Sequence, residues 1–117
     1  MGFIHVDVDV LNPANSEKSE RVRVMVDTGA TLSVLPASML ESLGVERKGR
    51  RRFQGFGGPI IREVGTADVR YADEVAGVTV VFGDEDDPPI LGVTALEVLG
   101  FTVDPVKGGL SRVDMLI

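Results

Sequence analysis

The chain of 117 residues contains no cysteine, no tryptophan and a single histidine, His5. The absence of cysteine excludes disulfides, thiolate catalysis and zinc sites built on thiolates. One histidine cannot build a histidine metal site or, alone, a Ser-His-Asp triad, and we expect His5 to point outward from an edge strand. We therefore expect a protein that uses no metal and no cofactor.

The sequence also lacks a hydrophobic run long enough to span a bilayer. Its first six residues have neither the basic start of a signal peptide nor the hydroxyl residue of a myristoylation signal. We therefore expect a cytoplasmic protein with no membrane partner. The formal net charge of −6 argues in addition against a nucleic-acid partner.

Two short charged runs stand out against this balance. Residues 48–52 read Lys-Gly-Arg-Arg-Arg, and residues 84–89 read Asp-Glu-Asp-Asp-Pro-Pro. Short charge runs are usually solvated, so we interpret the first as a solvated loop and the second as a solvated turn. The alternative for the basic run is a rim that attracts acidic substrate segments. The acidic run lacks the glycine and glutamate spacing of a calcium loop.

Hydrophobic alternation predicts an all-β fold. Apolar residues make up 44% of the chain, which is enough for the core of one domain spanning residues 1–117. Alternation over 4–10 and 22–26 predicts a hairpin of two half-buried strands. Further strand candidates are 33–35, 66–72, 75–82, 90–92, 101–105 and 110–117.

Two short helices are expected among the strands. Pro36 is placed to open the first and Gly44 to end it. Thr94 and Glu97 have the spacing of a capping box, and Gly100 would end this second helix. Each helix follows a Gly-x-Thr segment and ends in Leu-Gly, which indicates two similarly built arms of one barrel-like half.

The chemistry is expected at Asp27, in the segment Asp27-Thr28-Gly29 that ends an apolar strand. Gly29 allows a tight turn and the close approach of another chain. A single carboxylate does little to a peptide bond, but two held together share a proton and act as general base and general acid. Because Asp-Thr-Gly occurs once, the second carboxylate has to come from a second subunit.

These motifs resemble those of the retropepsin-like aspartic peptidases, the single-domain, retroviral-type branch of clan AA. Residues 24–30, Val-Met-Val-Asp-Thr-Gly-Ala, are similar to the family's active-site motif, and Ile90-Leu91-Gly92 is similar to its second motif. A glycine-rich segment, expected as a mobile hairpin over 53–65, lies between them where the family has its flap. The resemblance covers residues 22–105 and implies a closed half-barrel of the pepsin and retropepsin type that works as a homodimer.

The resemblance also implies a role for each matching residue. Asp27 would be the catalytic acid and base, Thr28 would join the two catalytic loops across the dimer axis, and Gly29 would leave room for substrate and water. Ile90, Leu91 and Gly92 would support the loop from behind. The residues implied to contact an extended polypeptide substrate are Ala30, Thr31, Gly55, Phe56, Gly57, Gly58, Pro59 and Ile60.

The sequence departs from the retroviral pattern at three positions. Thr31 stands where those enzymes commonly have Asp, and Val93 where they commonly have Arg, so the ion pair formed by these residues in that group is absent. Pro59 removes one amide donor from the expected flap. Substrate anchoring and part of the dimer contact therefore have to differ.

The sequence thus predicts an aspartic endopeptidase that hydrolyses peptide bonds between two Asp27 carboxylates of a homodimer. The alternative is a dimeric module of the same fold that binds peptide or supports an assembly but cleaves poorly. The intact Asp-Thr-Gly favours the enzyme. Burying a pair of acids lowers the stability of the fold, and a module that only binds peptide would gain nothing from keeping them. A phosphate site at Gly55–Gly58 is disfavoured, since no Gly-Lys-Ser/Thr follows.

Overall fold

The computed structural model describes residues 3–55 and 57–117. Within them, strands account for most of the regular structure and only two short helices form, as the alternation predicts. The elements are β1 (His5–Asn12), β2 (Asn15–Asp27), β3 (Ser33–Pro36), α1 (Ala37–Ser42), β4 (Gly49–Gly55), β5 (Gly58–Tyr71), β6 (Glu74–Gly83), β7 (Ile90–Gly92), α2 (Val93–Leu99), β8 (Phe101–Asp104) and β9 (Gly109–Arg112).

Alternate residues of the first hairpin form one side of the core. Val8, Val10, Val24 and Val26 are buried, whereas their neighbours along each strand are more exposed. Burying a valine side chain stabilises a fold by about 1.5–3 kcal/mol. The strands therefore present one apolar face each, which packs against the central strands and both helices.

A seven-stranded sheet, in the order β1-β2-β7-β3-β6-β5-β4, forms the body of the molecule, and β8 and β9 form a separate pair. An additional pairing of β1 with β5, at residues 9–11, joins two distant strands of this order and curls the sheet on itself. The predicted all-β half-barrel with two short helices is therefore confirmed.

Two parallel pairings bring the expected site together. Strand β2 pairs with β7, which places Asp27 opposite Gly92, and β3 pairs with β6. Val34 and Ile90 join the two pairs through an antiparallel contact of β3 with β7. Segments that are separated by more than 60 residues along the chain thus meet at one end of the sheet.

The first helix forms as predicted. Pro36 ends β3 and caps α1, which buries Met39 and Leu40, and Gly44 follows the helix with a φ of +79°. A positive φ costs little for glycine, so Gly44 ends the helix without strain.

The capping box predicted for the second helix is wrong. Gly92 occupies the N-cap of α2, and no side chain caps its first turn. The Thr94 hydroxyl donates a hydrogen bond of 2.6 Å to the carbonyl of Thr31 instead. The helix ends at Gly100 as expected, with φ +82°.

Three other predictions need correction. Residues 66–72 are not a separate strand, because β5 runs unbroken from Gly58 to Tyr71. Gly65, the last residue of the expected hairpin segment, lies inside this strand at a point of close approach, where a side chain would collide with the carbonyl of Glu46. The basic run lies mostly on strand β4 and not in a loop. At the carboxyl end, β9 stops at Arg112, so Val113–Ile117 are not a strand within the described chain.

Two observations concern the surface of the molecule. His5 is exposed, as expected, on a part of β1 that pairs only with β2. No helix of the described ranges has both the length and the apolar character needed to cross a bilayer.

Candidate active site

Asp27 is the last residue of β2, and the backbone of the following turn holds its carboxylate. The amide of Gly29 donates a hydrogen bond of 2.9 Å to Oδ1 of Asp27, and the amide of Ala30 donates one of 3.2 Å to its carbonyl. A side chain at position 29 would begin 3.2 Å from the same Oδ1. The turn therefore orients the carboxylate through the backbone, while Thr28 and Gly29 stay exposed.

Gly92 lies directly behind this turn. A Cβ atom at position 92 would lie 2.6 Å from the carbonyl oxygen of Leu32 and 2.9 Å from that of Ala30. These separations are too short for a real side chain, so only glycine allows β7 to approach the turn this closely. The strand that carries Gly92 therefore packs against the back of the turn that follows Asp27.

A buried serine, which the sequence analysis did not single out, fixes this contact. Ser33 is the one polar residue that is buried among the described residues, with 1% exposure. Its Oγ accepts a hydrogen bond of 3.0 Å from the amide of Gly92. The sequence feature that could have identified Ser33 is its place inside the apolar run 32–35, because a buried hydroxyl group needs a hydrogen-bond partner.

The start of α2 is hydrogen-bonded to the turn that follows Asp27, at the positions where the resemblance implies an ion pair in the retroviral enzymes. The amide of Val93 donates to the carbonyl of Ala30 at 2.8 Å, and Thr94 contacts the carbonyl of Thr31 through both its amide, at 3.3 Å, and its hydroxyl. Hydrogen bonds between uncharged groups therefore connect Thr31 to the start of α2, and neither Thr31 nor Val93 carries a charge.

A cleft of about 410 Å³ lies beside the turn. Its lining is mainly apolar and comes from residues 29–32, from strands β3 and β6, from the β4–β5 hairpin and from residues 87–90. The lining residues are Gly29, Ala30, Thr31, Leu32, Val34, Phe53, Gln54, Ile60, Arg62, Val81, Asp87, Pro88 and Ile90.

The cleft contains some of the residues predicted to contact substrate and not others. Ala30, Thr31 and Ile60 line it. Gly55, Gly57, Gly58 and Pro59 of the hairpin do not line it. Phe56 falls outside the described residues.

An ion pair closes one side of the cleft, which sequence reasoning missed. Arg62, on β5, donates to both carboxylate oxygens of Asp87, at 2.9 and 3.3 Å, and also lies 3.2 Å from Asp84. The side chains of Arg62 and Asp87 are only 19% and 26% exposed. The acidic turn is therefore not simply solvated, because two of its carboxylates, those of Asp84 and Asp87, tie it to the hairpin.

The ion pair shifts the titration of both groups. Hydrogen bonds from the Arg62 guanidinium, together with the amide of Asp84, hold the pKa of Asp87 below its ordinary value of 3.8, although burial opposes this. The same contact raises the pKa of Arg62. Asp87 is therefore held as a carboxylate and cannot serve the cleft as a proton donor at ordinary pH.

No group of three or more acidic or histidine side chains within residues 3–55 and 57–117 is placed to hold a metal ion.

The fold and the site together define an acid-peptidase domain: a curled β sheet, an Asp-Thr-Gly turn at a strand end, and an apolar cleft beneath a hairpin. Residues 9–95 match the family model described as aspartyl protease, and the chain belongs to that family. It is a retropepsin-like peptidase, a hydrolase.

A solved structure supports the fold. The EIAV protease complexed with the inhibitor HBY-793 matches with a TM-score of 0.62, at 22% identity, over 88% of this chain and 93% of that chain. At this identity the likeness shows the fold alone. No curated protein matches the sequence significantly.

Proposed function

We propose that the chain is an aspartic endopeptidase that is active as a homodimer, in which two Asp27 carboxylates activate one water molecule. The observation that carries this proposal is the setting of Asp27, whose carboxylate is oriented by the Gly29 amide at the edge of the cleft. None of the ion pairs among the described residues involves Asp27. The carboxylate is therefore held in place without being neutralised.

A second copy of the chain is the best source of the second carboxylate. The one acid among the described residues that line the cleft, Asp87, is engaged by Arg62 through both oxygens. An acid held ionised in this way cannot share a proton with Asp27. A two-fold axis beside the exposed Thr28–Gly29 turn would instead bring Asp27 against its own copy.

In such a dimer one proton serves both carboxylates, because like charges at short range cannot both ionise easily. The ionised Asp27 removes a proton from water as the oxygen attacks the carbonyl carbon of the scissile bond. The protonated Asp27 gives its proton to the carbonyl oxygen, which yields a neutral tetrahedral intermediate. The C–N bond then breaks as the leaving nitrogen takes the proton of one Asp27 and a hydroxyl of the intermediate gives its proton to the other, so that the pair again holds a single proton.

Exposed apolar side chains near both ends of the chain support a dimer contact. Phe3 is 75% exposed, and Met115, Leu116 and Ile117 are at least 59% exposed. Crossing of the terminal segments, 4–10 and 113–117, at the interface is one way to cover them. Residues 9–11 already pair with both β2 and β5. Among the described residues of the first segment, 5–8 pair with β2 and have one free strand edge for a second subunit.

The proposed substrate is an extended and mainly apolar polypeptide segment. Ile60, Val34 and Phe53 line the cleft with hydrocarbon, while Ala30 and Thr31 border it from the catalytic turn. The β4–β5 hairpin would cover the substrate as a flap and add backbone hydrogen bonds by strand addition. Pro59 has no amide hydrogen to contribute to that contact.

The test is cleavage of an unfolded protein by the wild type and by Asp27→Asn, at mildly acidic and at neutral pH. Asp73→Asn is the matched control, because Asp73 is an exposed aspartate in the turn between β5 and β6 and is in none of the ion pairs of the described chain. We expect Asp27→Asn to lose cleavage by at least about 100-fold, the usual contribution of a general acid or base. Asp73→Asn should cleave like the wild type.

Cleavage that persists in Asp27→Asn would refute the assigned role, and cleavage absent from every protein would favour the peptide-binding module. Sedimentation of the wild type should show a dimer. A fully active monomer would contradict the shared site.

A further inference from the structure

A second concavity, away from the catalytic turn, crosses the face of strands β4, β5 and β6. It has a volume of about 200 Å³. Three cationic residues and two threonines contribute to its lining, and no acidic residue does. The lining residues are Lys48, Gly49, Arg50, Arg51, Val64, Gly65, Thr66 and Thr79.

The cationic side chains of this groove are not neutralised from within the chain. Lys48, Arg50 and Arg51 are exposed, and none of them belongs to an ion pair of the described residues. Glu63 lies opposite Arg50 in the ladder, but its carboxylate accepts a hydrogen bond of 3.0 Å from Arg47. The groove is therefore locally positive in a chain whose formal net charge is −6.

Part of the groove is already positioned. The backbone amide of Lys48 donates to the carbonyl of Val64 at 2.8 Å, and Nζ of Lys48 lies 3.5 Å from Oγ1 of Thr66. Arg51 projects from β4, which is paired along its whole length with β5, on the same face as Thr66 and Thr79, whereas the side chain of Arg50 points to the opposite face. Cations on such a scaffold lose less freedom when an anion binds than cations on a loose loop would.

We propose that this groove is a binding site for the carboxylate side chains of an acidic polypeptide segment, and that it holds substrate outside the catalytic cleft. Arginine and lysine form strong charge-assisted hydrogen bonds with carboxylates, and the two threonine hydroxyls add uncharged donors. The volume suits one or two acidic side chains.

The position of the groove favours a substrate segment as its occupant. Strand β4 leads from the groove into the cleft, where Phe53 and Gln54 form part of the lining. Phe53 and Gln54 lie two and three positions after Arg51 on the strand, a distance of about 7–10 Å. An extended peptide seated in the cleft would therefore reach the groove with residues about three to five positions away.

A nucleic acid is the less suitable ligand. The two cations Lys48 and Arg51 neutralise few phosphates, and the acidic remainder of the surface repels a polyanion. The inference depends on the proposed function only in taking substrate as the source of the acidic segment. Binding itself can be measured without cleavage.

The experiment uses Asp27→Asn protein and fluorescent peptides that share an apolar central sequence. Each peptide carries either a Glu-Glu or a Gln-Gln pair, placed four residues from the centre on its amino-terminal or its carboxyl-terminal side. Peptides with the pair on either side are compared by fluorescence anisotropy at low and high salt. The groove variant adds Lys48→Gln and Arg51→Gln. The matched control adds Lys18→Gln and Lys107→Gln, which remove the same charge at exposed positions outside the groove.

We expect the Glu-Glu peptide to bind about tenfold more tightly than the Gln-Gln peptide at low salt, for one of the two placements of the pair. The preference should disappear in the groove variant, persist in the control variant and weaken at high salt. Equal preference in both variants, or tighter binding of a single-stranded oligonucleotide than of the Glu-Glu peptide, would overturn the proposal.

Cleavage of the same peptides by the wild type separates this inference from the proposed function. A lower KM for the Glu-Glu peptide at unchanged kcat supports both. Equal KM values with efficient cleavage would remove the groove site and leave the peptidase. A groove-dependent binding preference with no cleavage would remove the catalytic proposal and leave the groove.

Discussion

Thr94 donates its hydroxyl to the carbonyl of Thr31 at 2.6 Å, so that the second helix is joined to the turn that carries Asp27. The amide of Thr94 contacts the same carbonyl at 3.3 Å. In the retroviral pattern charged residues are expected near this junction, and here neutral groups take their place. This junction is not screened by salt as a surface ion pair would be.

Replacing Thr94 by valine removes the hydroxyl at nearly constant volume. We expect the free energy of unfolding to fall by about 1 kcal/mol, the usual net value of such a bond. The catalytic turn should also loosen, with a several-fold loss of kcat. Urea unfolding and steady-state kinetics measure the two effects, and Thr102→Val, at an exposed position of β8, is the control. Identical behaviour of the two variants would mean that the Thr31 contact has no energetic role.

Gly92→Ala tests the close approach behind the turn. The added methyl group would lie 2.6 Å from the carbonyl oxygen of Leu32, which is backbone and cannot rotate away. Overpacking of a core typically costs about 1–3 kcal/mol, and we expect the upper end of this range together with loss of activity. Thermal unfolding and a cleavage assay provide the measurements.

Gly109→Ala is the matched control for that substitution, since a Cβ atom there meets nothing within 4 Å. It should unfold and cleave like the wild type. An unchanged Gly92→Ala protein would show that the two motifs pack less tightly than the structure indicates.

The pair of Arg62 and Asp87 predicts a pH-dependent stability. Since the pKa of Asp87 in the folded chain lies below its ordinary value of 3.8, its ionised form stabilises the fold above that pH. This contribution is lost as the pH falls through the lowered pKa. Asp87→Asn should therefore be less stable than the wild type at about pH 6, and the difference should shrink by about pH 3. Urea midpoints across this range measure it.

Asp9→Asn separates stability from substrate binding. The pKa of Asp9 is also lowered, by hydrogen bonds from Arg21 and Arg70, but Asp9 lies outside the lining of the cleft. Both variants should show the same pH trend in stability. Only Asp87→Asn should raise KM, because it leaves the Arg62 charge less neutralised at the wall of the cleft. An equal rise in KM for both would assign the effect to general loosening.

A charged substitution in the exposed apolar segment 115–117 should weaken the proposed dimer. Leu116 and Val106 are both almost fully exposed in the protomer, at 101% and 97%. Placing a glutamate in an apolar interface leaves a buried charge without a partner, so Leu116→Glu should raise the dimer dissociation constant at least about tenfold. Val106→Glu, in the turn before β9, should leave it unchanged. Sedimentation over a range of concentrations decides between them, and equal dissociation constants would place the interface elsewhere.

Much of the fold could be predicted because its signals are local. Alternating valines define the faces of β1 and β2 within one strand length, and Gly44 and Gly100 end helices by their own conformation. The Asp-Thr-Gly turn and the later Ile-Leu-Gly could be paired only through the family resemblance. Nothing in the spacing alone places Asp27 opposite Gly92.

The features that the sequence did not reveal depend on partners far along the chain. Thr94 and Glu97 have the spacing of a capping box, but the Thr31 carbonyl lies within reach of the hydroxyl and competes successfully for it. Asp87 belongs to an acidic run that looks solvated until β5 brings Arg62 beside it, 25 residues away along the chain. Such contacts follow from tertiary packing and not from local preference.

The parallel pairing of β2 with β7 has a consequence for the order of events during synthesis. The turn at Asp27 receives its rear support only after residues 90–92 have left the ribosome, because those residues form the partner strand. Parallel pairings between distant segments also form slowly, since a long loop has to close first. The proposed active site therefore lacks its rear support in a nascent chain that stops short of Ile90, and we expect such a chain not to cleave peptides.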